Sequence, residues 1–235
     1  MDTVKPTLIL FDIDGTLLDS RGAGRDAMAS AGRGVFGDSF RFDDVEFAGQ
    51  LDPAILAEAA AAAQHDVTPQ QQRAFEERYL EELRKRLRRP PSPFTLPGVR
   101  ELLERLDRVA AQGSVRGGLL TGNARAAATL KLDAVGIERH RFTINAFGDE
   151  AKTRPDLVAL ARDRHRQSVG DDVPRERTVV IGDTPRDVAA AKAHGCVALA
   201  VATGSYHADA LAAAGADRVV TSLEDPAAFE ALPVT

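Results

Sequence analysis

Residues 8–20 read Leu8-Ile9-Leu10-Phe11-Asp12-Ile13-Asp14-Gly15-Thr16-Leu17-Leu18-Asp19-Ser20, and the point where the apolar run stops decides the fold. Leu8 to Phe11 has the pattern of a buried parallel strand. It ends on two carboxylates, Asp12 and Asp14, with Gly15 behind them to let the chain turn away. Neither acid is tolerated in a core, so both belong at the strand's carboxyl end, facing a crevice. Two carboxylates this close need a cation, or one of them must hold a proton. Both conditions suit phosphoryl transfer with Mg²⁺.

Downstream of residue 97 the same logic repeats. Val115 to Leu120 reads as a strand, followed by Thr121-Gly122-Asn123 and a helix to about Val135. Phe142 to Phe147 reads as a third strand, followed by Gly148-Asp149. Pro155 to Arg166 reads as a helix with Leu157, Leu160 and Ala161 on one face. Thr178 to Ile181 is a fourth strand, ending in Gly182-Asp183-Thr184-Pro185, where Pro185 suits a helix start and Gly195 its end. Val197 to Val201 and Asp217 to Val220 complete the series. Strands alternating with helices predict an α/β fold, a Rossmann-like parallel sheet covered on both faces. Asp12, Asp14, Thr121, Asp149 and Asp183, with Asp187 one helical turn later, stand at strand ends. In an open sheet such ends converge where the strand order reverses.

Residues 19–92 break the alternation. They hold no convincing strand, and Gly24–Phe36, Pro53–Gln64 and Pro69–Arg88 read as helices. The expected organisation is an α/β core made of residues 1–18 and 93–235, with a helical insert at 19–92. Pro90-Pro91-Ser92-Pro93 reads as a stiff linker back into the core. The basic run Arg84 to Arg89 reads as a solvated helix end complementing the helix dipole. Gly32-Arg33-Gly34-Val35-Phe36-Gly37 matches a dinucleotide fingerprint only formally, because it follows a helix.

Composition narrows the partners. The 235 residues are 44% hydrophobic and 28% charged, as in ordinary globular proteins. A net charge of −5, scarce aromatics and no Trp argue against nucleic acid and anionic membranes. One cysteine, Cys196, excludes an intrachain disulfide and reads as a buried small hydrophobe. Asp12 interrupts the only N-terminal apolar stretch, so no signal peptide or membrane span is expected, and a cytoplasmic location is. No oligomeric state follows from the sequence.

The Asp12-Ile13-Asp14-Gly15-Thr16 stretch resembles the signature of the haloacid dehalogenase superfamily. Thr121 in Leu-Leu-Thr-Gly-Asn is similar to its second motif, and Gly182-Asp183-Thr184-Pro185-Arg186-Asp187 to its fourth. The third motif is a cation at a helix start, and Lys152-Thr153-Arg154-Pro155 offers two. Lys152 has the usual residue type and Arg154 the adjacent proline. The insert sits where the superfamily carries a helical cap. Within it, Gly49-Gln50-Leu51-Asp52 resembles the substrate-facing Gly-x-Thr-Asp segment of phosphoglycolate-phosphatase-like members, with Leu51 in place of threonine. Asp52 also reads as the N-cap of the helix begun by Pro53.

The resemblance implies a strand order of third, second, first, fourth and fifth, which makes Asp12 and Asp183 neighbours. It implies Asp12 as nucleophile, Asp14 as acid and base, and Mg²⁺ held by Asp12, Asp183 and the backbone carbonyl of Asp14. Nearby carboxylates are expected to raise the pKa of Asp14, with the metal working against them. Thr121 and a cation at 152 or 154 would hold the phosphoryl oxygens, with Asp187 in support. Gly122, Asn123, Gly49, Gln50 and Asp52 are expected to contact a small phosphate ester. The implied activity is phosphatase. A phosphosugar mutase of the same fold is the alternative, and a catalytically inactive binding or regulatory relative is the non-enzymatic one.

Overall fold

In a computed structural model of the chain, residues 6–111, 113 and 115–234 are described. The remaining positions of the expected segments 1–18 and 93–235 lie outside the described residues. The opening run forms β1 (Thr7–Phe11), with every residue buried. After β2 (Leu18–Asp19) come three helices, α1 (Ala23–Phe36), α2 (Asp52–Ala62) and α3 (Pro69–Leu87), then β3 (Phe94–Thr95). Alternation follows: α4 (Val99–Ala110), β4 (Val115–Thr121), α5 (Arg125–Ala134), β5 (Ala146–Phe147), α6 (Arg154–Val169) and β6 (Thr178–Gly182). The chain finishes with α7 (Pro185–Ala193), β7 (Val197–Val201), α8 (Ala208–Ala213), β8 (Arg218–Val220) and α9 (Pro226–Glu230).

Six strands form one parallel sheet in the order β5-β4-β1-β6-β7-β8. This is the expected order with β8 added at one edge. Side chains alternate across β1, as its pleat requires. Ile9 and Phe11 join the layer that holds Leu102 and Leu106 of α4 and Leu132 of α5. Leu8 and Leu10 join the opposite layer, with Leu157 and Ala161 of α6 and Val188 of α7.

The third strand is shorter than the sequence suggests. Only Ala146 and Phe147 pair with β4. The Asn145 side chain accepts the Leu119 N–H at 3.0 Å and donates to the Phe142 carbonyl at 3.0 Å. A side chain thus takes the ladder's place and folds residues 142–145 away from extended pairing.

The three helices after β2 bury a separate apolar cluster. α3 contributes Phe75, Tyr79, Leu83 and Leu87, four apart along one stripe. Ala27, Met28 and Ala31 of α1 and Ile55, Leu56 and Ala59 of α2 pack against them. The formal fingerprint glycines fall at the end of α1, where Gly32 lies against Phe40 and Phe42. β2 and β3 pair antiparallel, Leu18 with Thr95 and Asp19 with Phe94. That small strand pair, absent from the expectation, holds the exit and return of the chain side by side. No helix among the described residues is long and apolar enough to cross a membrane.

Candidate active site

Because β1 lies between β4 and β6, the residues ending these strands meet at one end of the sheet. Asp12 follows β1, Thr121 ends β4 and Asp183 follows β6. Asp12 and Asp183 border a cavity of about 440 Å³ between the sheet and the helical insert, lined also by Asp14, Gly122, Asn123 and Arg154; Thr121 is not among its lining residues.

Among the described residues, carboxylate oxygens of Asp12, Asp183 and Asp187 lie within 4.8 Å of one another, all buried. Burial pushes Asp12 up to about 6; Arg154 pulls it down, and Asp187 and Asp14 push it further up. Burial, then the charges of Asp12 and Asp187, push Asp183 well above the usual carboxylate range. Such a cluster accommodates a hard divalent cation, which would draw both groups back to their ionised forms. Asp187 is not free to ligate. Its Oδ1 accepts Arg154 Nε at 2.9 Å and also Arg154 Nη2, and its Oδ2 accepts the Thr184 N–H at 3.1 Å and hydroxyl at 2.6 Å. That leaves Asp12 and Asp183 as the carboxylate pair for a metal. A Cβ on Gly15 or Gly204 would overlap the Asp183 carboxylate, so two glycines keep space open around it. Gly15 also sits at φ 78°, the left-handed turn its place in the sequence requires.

The structure places the two third-motif cations differently. Thr153 and Asp156 form a capping box that starts α6 at Arg154. Arg154 then lies three and seven residues before Leu157 and Ala161, on the buried stripe. Its guanidinium reaches Asp12 Oδ1 at 3.0 Å, and its Nη1 donates to the Gly49 carbonyl at 3.1 Å. The carboxylates of Asp187 and Asp12 raise its pKa against the effect of burial. Lys152, outside the helix, is exposed and does not line the cavity.

Asp14 is half-buried and tied by both oxygens. Oδ2 accepts Lys131 Nζ at 2.6 Å and Asn123 Nδ2 at 2.8 Å, while Oδ1 accepts the Ser20 hydroxyl at 3.0 Å. Burial alone would raise its pKa, but the Lys131 charge and the three side-chain hydrogen bonds hold it below the ordinary value. The expected rise is thus reversed by Lys131, a residue the sequence reading missed. Lys131 replaces an apolar residue on the buried face of α5, beside Ala127, Ala128 and Leu132. A lysine in that stripe is the signal that could have found it. Thr121 is fully buried behind Asn123, whose N–H at 3.3 Å and Nδ2 at 2.8 Å both donate to its hydroxyl oxygen.

The insert approaches this site through main chain. The Asp52 N–H donates to the Gly122 carbonyl at 2.8 Å. The Gln50 carbonyl lies where a Cβ on Gly122 would be, so only glycine permits the approach. Gln50 turns its amide to Glu58 at 2.7 Å. Asp52 does not cap its own helix: Leu51 holds the N-cap position, and Asp52 is already helical. Its Oδ2 instead accepts the Ala124 N–H at 2.8 Å, at the start of α5. Burial pushes Asp52 up to about 6, against the pull of Lys131 and that N–H. Asp149 is likewise corrected. It is exposed and accepts the Arg125 N–H at 3.1 Å, so it serves the end of α5 and not the cavity. Outside the cavity, Arg186 donates to the Ala48 carbonyl at 2.6 Å and to Glu46 at 2.8 Å. Tyr206 donates to Glu46 at 2.5 Å.

Solved structures share the fold across nearly the whole chain. A hydrolase from Pseudomonas syringae is 24% identical, with a TM-score of 0.71 over 95% of this chain and 97% of that one. A predicted phosphoglycolate phosphatase from Haemophilus somnus is 20% identical, with a TM-score of 0.69 over 98% and 100%. CbbY from Rhodobacter sphaeroides, in complex with phosphate, is 23% identical, with a TM-score of 0.69 over 94% and 96%. No curated protein matches the sequence. The family model described as haloacid dehalogenase-like hydrolase matches residues 6–195. With that match over most of the chain, and with the strand order and buried acids just described, the protein belongs to the haloacid dehalogenase-like hydrolases.

Proposed function

We propose that this hydrolase is a Mg²⁺-dependent phosphatase of small phosphate monoesters, phosphoglycolate-phosphatase-like, working through a phosphoaspartate on Asp12. One observation carries the reading. Asp12 lies beside the guanidinium of Arg154 and the carboxylate of Asp183, with Asp14 two residues on, all bordering one cavity. In the proposed reaction an Asp12 oxygen attacks phosphorus, and the bond from phosphorus to the ester oxygen breaks. Asp14, in the protonated form that Lys131 otherwise disfavours, gives the leaving alkoxide its proton. Water then attacks phosphorus, giving a proton to Asp14 and releasing phosphate. Arg154 and the Thr121 hydroxyl hold phosphoryl oxygens as charge moves among them. Mg²⁺, held by Asp12, Asp183 and the backbone carbonyl of Asp14, would offset the repulsion between carboxylate and phosphate. We take residues 19–92 as a cap that closes over a core of residues 1–18 and 93–235, excluding bulk water. The setting proposed for this chemistry is the cytoplasm.

The test is phosphate release from phosphoglycolate and from p-nitrophenyl phosphate, with Mg²⁺ and with a chelator. Steady release over many turnovers, lost with the chelator and in Asp12→Asn, is the expected result. Isomerisation of a sugar phosphate outrunning phosphate release would make the protein a mutase. Full activity in a verified Asp12→Asn preparation would remove Asp12 as nucleophile.

A further inference from the structure

Lys131 lines the cavity yet lies outside the expected motifs, and its surroundings are unusual for a lysine. It is 4% exposed on the otherwise apolar buried face of α5. Removing an ammonium from water costs several kcal/mol, so such a position favours an aliphatic residue unless the charge serves its neighbours. Those neighbours belong to the cavity. Nζ donates to Asp14 Oδ2 at 2.6 Å and to Asn123 Oδ1 at 2.6 Å. The second bond fixes which end of the Asn123 amide is the acceptor. Nδ2 must then point the other way, where it donates to Asp14 Oδ2 and to the Thr121 hydroxyl oxygen. One ammonium thereby sets two contacts on Asp14 and the contact behind Thr121. Across from it, Gly24 leaves open the space that a Cβ would enter at 3.2 Å from Nζ.

We infer that Lys131 is the positioning residue for the acid–base carboxylate: it holds the Asp14 side chain, directly and through Asn123, where it meets the leaving oxygen. The inference rests on the phosphatase reading and adds a residue to it. A positioning role predicts a particular pattern. Losing Lys131 harms esters whose leaving group needs a proton more than those whose leaving group departs as a stable anion. A merely structural lysine would lower all rates together.

The experiment compares the parent, Lys131→Met, Asp14→Asn and the double variant on p-nitrophenyl, phenyl and alkyl phosphates, with folding checked by circular dichroism. Lys131→Met is expected to lose about tenfold on p-nitrophenyl phosphate and about 10²-fold or more on alkyl esters, matching the lower range of general acid–base contributions. In the Asp14→Asn background, adding Lys131→Met should cost less than about twofold, because the two residues act as a unit. Lys131→Gln, a neutral donor of similar size, carries the same comparison if the methionine variant does not fold. A crystal structure of the variant adds a readout independent of rate: the Asp14 carboxylate should leave its present position. Equal losses across the ester series, additive effects in the double variant, or an unmoved carboxylate would each overturn the assignment of Lys131 alone. A parent that hydrolyses none of these esters would overturn the phosphatase reading and the Lys131 role with it.

Discussion

Arg154 uses all three guanidinium nitrogens. Nε and Nη2 serve Asp187, Nη2 also reaches Asp12, and Nη1 holds the Gly49 carbonyl of the insert. No lysine could copy this, because its single ammonium lacks the planar fork. Arg154→Ala is therefore expected to reduce kcat/KM by at least about 10²-fold through loss of a phosphoryl-binding cation. It should also destabilise the fold by about 3–5 kcal/mol, since Asp12 and Asp187 would be left as uncompensated buried acids. Arg154→Lys should recover little activity. Lys152→Ala, a change at an exposed position, should stay within about 0.5 kcal/mol and keep its turnover. Steady-state kinetics and denaturant unfolding on the three variants check all of this.

At the scale of elements, α5 shows how the site is braced. Its N-cap residue, Ala124, has no side chain to satisfy the first N–H groups. Two acids from elsewhere do so, Asp52 from the insert and Asp149 from the loop after β5. Asp52→Ala should therefore cost about 1 kcal/mol, as loss of a cap does. Asp52→Asn keeps an acceptor and removes the charge. The native pKa of Asp52 is raised to about 6, so its charge weighs against the fold above that pH and ceases to do so as the pH falls below it. The asparagine variant should thus match or exceed the parent's melting temperature at pH 8, and the difference should shrink by pH 5. Much of this architecture was legible in the sequence. Apolar runs ending in Asp12, Thr121 and Asp183 announced the sheet and the end at which those residues meet, and three helical stretches announced the helical insertion. The third-motif cation stayed open between Lys152 and Arg154, because the local sequence offers the usual residue type at one and the adjacent proline at the other. Partnerships across the chain were not legible. That Asp52 caps α5, or that Lys131 reaches Asp14 from 117 positions away, depends on tertiary placement that no local pattern encodes. The β2–β3 pair is only two residues long in each strand, too short for alternation to register.

Across the whole molecule, stability is sacrificed at the active end of the sheet. Asp12 and Asp183 are raised above ordinary carboxylates, so the folded chain binds more protons than the unfolded one over that interval. Stability then falls as the pH rises through it. In the metal-free protein, Asp183→Asn should accordingly be more stable than the parent at pH 7.5, by about 1 kcal/mol or roughly 2–4 °C. The advantage should narrow at pH 5. Added Mg²⁺ should raise the parent's melting temperature and leave that of Asp183→Asn nearly unmoved. Thermal unfolding with and without the metal reads both effects. The seat of the insert on the core follows a different logic. The Asp52 N–H meets the Gly122 carbonyl, and the Gln50 carbonyl rests against Gly122 itself. At Gly122 the joint is main chain on main chain, and around it the side chains that hold the insert, Arg154 on the Gly49 carbonyl, Arg186 on the Ala48 carbonyl and Asp52 on the Ala124 N–H, each address backbone. Over generations, residues that face the cavity and make none of these contacts can be exchanged one at a time while the insert keeps its seat. A lineage carrying such a joint can widen its chemical repertoire without having to rebuild the seat of the insert.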